Sequence, residues 1–400
     1  MNGVRERAVD VLVVGAGPAG LALAARVAAA GAGRVEVLER EEEAGGVPRH
    51  CRHGGFGDPP RPWLAGPAYA RRAVRAALAA GAAVRTGVSA TGWAGPLTLT
   101  TTSPAGLERI TARAVVLATG ARERPRSARL VPGSRPAGVL TTGEVQQAVH
   151  RYGQDVGRRA VVVGAGPVAR HAVRTLRRAG TRVVAVVTER PRAAAVPGAA
   201  LLTATTVAEL RGRGRLSGVA VRHADGRYGV LACDTVVFTG DWIPDHELAR
   251  HGGVGLDAGT RGPAVDAAFR TSVPGVFAVG NALRGIERAG TAAAEGAAAA
   301  APVLAHLAGA PWPEPGPPLL VRAPLVWVTP NRVTGVFDRP LRLRSGEALT
   351  APVVTVAQDG RLLWRRRIPG PVSPARSLRL PPGWTARVER AGGPVVVGLG

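Results

Sequence analysis

The chain has 400 residues, with 52 basic side chains against 28 acidic ones and a net charge of +24. Every basic residue is Arg, and the length fits two or three domains, not one small core. The arginines are scattered and form no aromatic-interleaved stripe, which argues against nucleic-acid binding and for a solvated basic surface, with attraction to an acidic protein partner or an anionic membrane face left open.

Val9–Val14 is a short apolar run that stops at a Gly-rich turn, as a buried parallel strand does, and it follows the N-terminus with no signal-peptide pattern before it. The expected location is therefore cytoplasmic. Leu21–Ala30 has helix composition and Gly31 ends it; Val35–Leu38 is the next strand. About 150 residues later the pattern recurs: strand Ala160–Val163, helix Val168–Ala179, stop at Gly180, strand Val183–Val187. Two such βαβ units imply two doubly wound domains. Ala114–Ala118, Thr235–Phe238 and Val276–Val279 are further apolar runs that end at Gly turns. The Ala-rich helix around Ala292–Leu307 contains Glu295 and Pro302 and is too weakly hydrophobic for a membrane span. Pro311–Pro318 (PWPEPGPP) reads as a stiff linker. Beyond it, Val353–Val356, Leu362–Arg365 and Arg376–Leu380 alternate between Gly/Pro turns, so residues 319–400 are expected to form a small β-rich domain.

The chemistry concentrates at Gly15-Ala16-Gly17-Pro18-Ala19-Gly20, set between strand and helix. In such a loop Gly15 permits the tight turn, Gly17 lets a pyrophosphate approach the backbone, and Gly20 lets helix and strand pack closely. The helix start then offers free N–H groups and about half a positive charge to an anion. Glu39 follows 24 residues after Gly15 at the end of the second strand. A carboxylate there suits two ribose hydroxyls. Cys51 and Cys233 make no CxxC or metal-ligand spacing, so no metal, iron–sulfur cluster or disulfide framework is expected from this chain alone.

Further segments carry a resemblance. Val115–Ala121 (VVLATGA) is similar to the strand that leads from the FAD domain into the second domain of glutathione- and thioredoxin-reductase-type flavoproteins. Thr271–Gly280 (TSVPGVFAVG) with Asn281 is similar to their third FAD segment, although that family usually has Asp where Asn281 stands. Gly290–Gly296 resembles the helix whose N-terminus points at the flavin pyrimidine, where its dipole favours negative charge. Gly45–Gly57, Thr141–Gln147, Thr239–Leu248 and Gly280–Gly285 narrow the likeness further. They resemble the FAD/NAD-type subunits of hydrogen cyanide synthase, opine oxidase, bacterial proline dehydrogenase and heterotetrameric sarcosine oxidase.

The resemblance implies an α/β fold with two Rossmann-like dinucleotide-binding domains plus the small β-rich C-terminal domain. FAD would occupy residues 1–140 with 265–310, an NAD(P)-binding-like domain 141–264, the linker 311–318, and the β-rich domain 319–400. The FAD set it implies is Gly15, Gly17, Pro18, Ala19, Gly20, Glu39, Arg40, Gly46, Arg49, Val88, Ala118, Thr119, Gly120, Gly280, Asn281 and Thr291. Disulfide reductases of this fold place a redox Cys pair two and seven residues after the second Gly of the GG turn. Counted from Gly46, those places hold Pro48 and His53, which disfavours dithiol exchange. His50 and His53 stand as flavin contacts or proton donors, or equally as loop-fixing residues; Cys51 reads as a buried thiol.

The second loop, Gly164-Ala165-Gly166-Pro167-Val168-Ala169, is a GxGxxA version whose Gly164, Gly166 and Ala169 would bind NAD(P) by fold. Its strand tip carries Val187 and Thr188 where an NAD site wants a carboxylate, with Arg190 and Arg192 nearby for a 2′-phosphate. The run to the next strand near Leu201 is too short for an ordinary helical crossover. Nucleotide binding there and a purely structural domain both remain open. The expected activity is that of an FAD-dependent oxidoreductase, specifically an electron-transfer subunit of an amine or amino-acid dehydrogenase or oxidase complex. Its expected partners are an amino-acid-oxidase-like flavoprotein and a 2Fe–2S protein. The rival readings are a stand-alone NAD(P)H-dependent flavin reductase and a non-catalytic FAD-bearing scaffold.

Overall fold

A computed structural model describes residues 4–56, 63–285 and 287–400. Gly57, the last residue of the Gly45–Gly57 run, lies outside them. The chain folds as two compact units: 1–49, 55–121 and 243–400 make the first, and 50–54 with 122–242 make the second.

The first unit opens with β1 (Arg5–Val14), α1 (Pro18–Ala29) and β2 (Val35–Leu38), then α2 (Gly66–Ala79) and β3 (Ala83–Arg85). A hairpin stretch follows: β4 (Ser89–Gly95), β5 (Thr98–Ser103) and β6 (Gly106–Leu117). The strand order is β3-β2-β1-β6-β5-β4. Alternate β1 side chains serve two cores, because a strand points successive residues to opposite faces. Val11 and Val13 join the core under α1, and Leu12 and Val14 join the one on the other face. β6 is longer than its apolar run. Its first half pairs antiparallel with β5 and alternates in burial, while its last residues pair with parallel neighbours and are continuously buried.

The chain leaves through β7 (Ala121–Glu123) and builds the second unit. Its elements are β8 (Val139–Thr141), α3 (Thr142–His150), β9 (Arg159–Val163), α4 (Pro167–Arg178), β10 (Arg182–Val187) and β11 (Ala200–Leu202). Then come β12 (Thr205–Arg213), β13 (Arg215–His223), β14 (Tyr228–Ala232) and β15 (Thr235–Phe238). Five strands form a parallel sheet ordered β11-β10-β9-β15-β8, and β12-β13-β14 form a separate antiparallel sheet. Residues 188–199, between β10 and β11, contain no helix, as the short spacing implied.

The chain returns through β16 (Trp242–Pro244) to α5 (Glu247–His251), β17 (Val276–Ala278) and α6 (Ala289–Leu307). Residues 122–140 thus fold with the second unit, where β8 extends the parallel sheet beside β15. Residues 243–264 fold with the first, where Ala249 and Val254 enter its core. α6 runs through Pro302 and lies close on α1: a Cβ at Gly296 would overlap Ala19 O. The Pro-rich 311–318 stretch has no helix or extended strand, yet Trp312 meets the Phe277 ring edge-on at 5.1 Å.

The last segment forms β18 (Leu319–Val321), β19 (Leu325–Thr329), β20 (Leu341–Ser345), β21 (Leu349–Thr350), β22 (Val353–Gln358), β23 (Arg361–Arg367), β24 (Pro371–Val372), β25 (Leu378–Leu380) and β26 (Val395–Leu399). These strands enclose their own core around Leu343, Val356, Leu363 and Trp384. Among the described residues no helix is long and apolar enough to cross a membrane.

Candidate functional site

In the first unit the Gly-rich turn joins β1 to α1. Gly15 has φ +108°, and its N–H donates to Leu38 O at 2.8 Å. A Cβ there would overlap Ala118 O, and one at Gly20 would overlap Gly15 O. Gly17 differs, because a Cβ there would meet nothing within 4 Å. Gly17 is also the N-cap of α1, with Pro18 in the first turn and no side chain capping the helix. The helix start therefore presents uncapped N–H groups and its dipole beside an open face, the chemistry a diphosphate requires.

Glu39 follows β2 and is buried; its Oε1 accepts from Glu41 N–H at 3.1 Å. Burial pushes its carboxyl above the ordinary range, against the Glu41 amide and the Arg49 charge. Val88 donates its N–H to Glu39 O at 2.9 Å, fixing the same turn. Arg40 is exposed, with its guanidinium 3.6 Å from Asp245. Gly46 has φ +62°, and a Cβ there would come within 2.9 Å of Gly17 Cα. The buried Arg49 pairs with Glu41 and donates from Nε to Gly46 O at 3.3 Å.

The other candidates of this unit lie just after β6, just after β17 and at the start of α6. Ala118 donates to Val14 O at 2.9 Å, Thr119 Oγ1 donates to Asp245 O at 2.6 Å, and Gly120 O accepts from Asp245 N–H at 2.9 Å. A Cβ at Gly280 would come within 2.6 Å of the Ala19 Cβ, and Thr291 sits in the first turn of α6. Asn281 is committed within its own loop: Oδ1 accepts from Glu287 N–H at 3.0 Å, and Nδ2 donates to Glu287 O at 3.4 Å.

The second unit holds the remaining candidates. Cys51 is buried, its thiol donates to Gln146 at 3.3 Å, and burial together with Glu123 pushes its pKa up to about 12. It carries no thiolate near neutrality. His50 is also buried. The His53 ring stacks on His171 of α4, centroids 3.6 Å apart and planes 10° from parallel. Burial, helped by His53, Arg174 and Arg170, lowers the His171 pKa to about 4. Arg52 donates to His150 O at 2.9 Å, completing the attachment of 50–54 to α3 and α4.

The second Gly turn repeats the first almost bond for bond. Gly164 (φ +104°) donates to Val187 O at 2.7 Å, Gly166 is the uncapped N-cap of α4, and a Cβ there would meet nothing within 4 Å. The fully buried Ala169 stands where the first loop has Gly20. Thr188 takes the place of Glu39. Its N–H donates to Leu202 O as that of Glu39 does to Arg85 O, its carbonyl accepts from Thr205 as that of Glu39 does from Val88, and its hydroxyl accepts from Arg190 N–H at 3.3 Å. Only the carboxylate is missing. Sequence spacing places Thr188 at this tip but gives no hint of the repeated main-chain pattern. Among the described residues no group of three or more His, Cys, Asp or Glu is placed to hold a metal.

Known proteins agree with this arrangement. The chain is 32% identical over 219 residues to the alpha subunit of sarcosine oxidase from Rhizobium meliloti, a match covering 52% of this chain and 20% of that protein. It is 36% identical over 169 residues to an opine oxidase subunit of Agrobacterium tumefaciens, covering 40% and 32%. The chain thus spans only a fifth to a third of these relatives. Thioredoxin reductase of Lactococcus lactis shares the fold with a TM-score of 0.62 at 21% identity, over 75% of this chain and 99% of that one. Residues 9–296 match the family described as pyridine nucleotide-disulphide oxidoreductase, and the chain belongs to that family.

Proposed function

We propose that this chain is the electron-transfer flavoprotein part of an amine or amino-acid oxidase or dehydrogenase complex. The observation that carries the reading is the pairing of an open, uncapped Gly17 turn and a buried Glu39 with the absence of a dithiol. Pro48 and His53 stand at the two cysteine places, and Cys51 is a lone thiol with its pKa near 12. The similarity to subunits of sarcosine and opine oxidases supports it. FAD, when bound, would supply reversible acceptance of electrons.

In this reading Gly15–Gly20 and the α1 N-terminus hold the diphosphate and Glu39 the adenosine ribose. Gly46, Arg49 and Val88 shape the adenine side. Ala118–Gly120, Gly280, Asn281 and Thr291 line the flavin side. The substrate amine would be oxidised on an amino-acid-oxidase-like partner, with a 2Fe–2S protein relaying electrons. Co-expression with such a partner tests this. The flavin of this chain is expected to be reduced on adding substrate only in the assembled complex, and a flavin that stays oxidised there sinks the proposal.

The repeated but carboxylate-free turn at Gly164–Gly166 favours one second reading, a stand-alone NAD(P)H-dependent reductase. Stopped-flow mixing of the isolated yellow protein with NADH and NADPH separates the two. Rapid bleaching without a partner supports the second reading, and no bleaching by either nucleotide removes it.

A further inference from the structure

The loop after Gly280 and the last β-rich segment share a charge cluster that the flavin reading does not use. Arg284 is 1% exposed and pairs with Glu295 of α6, with Glu287 at 3.9 Å from its Nε. Two arginines of β20 close the cluster from the C-terminal segment. Arg344 meets Glu287 at 3.2 Å, and Arg342 lies 3.4 Å from Glu295 and 3.8 Å from Glu287. Trp327 of β19 stacks under two of these cations, 5.4 Å from Arg284 and 5.1 Å from Arg344.

Among the described residues, three guanidiniums thus share two carboxylates, so this cluster is richer in positive than in negative charge. Burying such a cluster is costly, and the Trp327 face offsets the cost only in part. Charge in such a poorly screened place acts over distance on any group whose own charge changes nearby. The cluster reaches the flavin-side segment directly, because Glu287 is also the residue whose backbone holds both ends of the Asn281 amide. Glu295 lies in α6 itself, one residue before the Gly296 contact with α1.

We propose that Arg284, Arg342 and Arg344 are positioning residues: held on Glu287 and Glu295, they brace the Gly280–Asn281 segment and raise the reduction potential of the flavin. The β-rich C-terminal segment then belongs to the redox apparatus. This rests on the flavin reading of that segment. A flavin gains negative charge on reduction, so a positive cluster behind its binding segment favours the reduced form.

The test is the FAD reduction potential of the purified full-length protein at neutral pH, measured by equilibration with a reference dye. Arg344→Gln is expected to make the potential more negative, Glu287→Gln more positive, and Arg344→Lys to leave it near wild type. Should Arg344→Gln fail to fold, Arg342→Gln, at the more exposed rim, carries the same expected sign. Opposite shifts from the two neutralised charges support the proposal. Unshifted potentials in yellow protein, or both variants moving the same way as general loosening would move them, overturn it. A colourless wild type defeats the flavin reading itself, and this inference with it.

Discussion

Gly17 and Gly20 stand three residues apart in one turn and do opposite jobs. A Cβ at Gly17 meets nothing, so Gly17→Val should leave the apoprotein folded with an unchanged Tm while abolishing FAD retention. A Cβ at Gly20 strikes Gly15 O, so Gly20→Val should lower stability by about 1–3 kcal/mol, as overpacking does. Thermal melts and the absorbance of the purified proteins check both; equal melting losses would contradict the assignment. Glu39→Ala should weaken FAD by about 1–3 kcal/mol, read by fluorescence titration, if its carboxylate bonds the ribose. His171 titrates with the opposite sign to a salt-bridged histidine. Its folded pKa near 4 lies below the ordinary 6.5, so the unfolded chain binds more protons between those values. Stability from this residue is present above about pH 6.5 and is lost as the pH falls toward 4. His171→Gln should flatten the urea-midpoint profile across that window, and an unchanged slope would refute the assignment.

At the scale of elements, α3 shows a signal that the sequence carried and periodicity did not. Thr141 and Glu144 form a capping box: each side chain takes the other's backbone N–H. Thr141→Ala should cost about 1 kcal/mol, checked by denaturant unfolding. The two βαβ units, with Glu39 and Thr188 at their strand tips, were legible because a buried parallel strand, a Gly turn and a helix stop each leave a local mark. The hairpin β4–β5 and the sheet β12-β13-β14 were not, since their Thr-, Gly- and Arg-rich strands lack clean alternation. The Arg284 cluster was also hidden. Its β20 partners lie 47 to 57 residues beyond the carboxylates they meet, and with 52 arginines in the chain no pairing stands out from composition. For Asn281 the sequence suggests a cofactor contact; that its amide also bonds the Glu287 backbone at both ends is a use only the folded loop reveals.

For the whole molecule, the excess of basic groups bears on assembly. With a net charge of +24, association with an acidic electron-transfer partner should slow steeply as salt is raised. Surface-plasmon on-rates at rising NaCl would show this, and salt-independent rates would mean that steering plays no part. Helix spacing and the Gly15–Gly20 turn are tied at Ala19, since an added Cβ at Gly296 of α6 or at Gly280, before that helix, would collide with it. Finally, the hydrogen-bond scheme shared by the turns at Gly15 and Gly164 makes the chain its own reference. Two near-copies of one cradle sit in a single polypeptide, differing at the strand tip by Glu39 against Thr188. Exchanging that one pair would measure how much of any difference in dinucleotide affinity between the two turns a few side-chain atoms dictate, apart from the missing helix after β10.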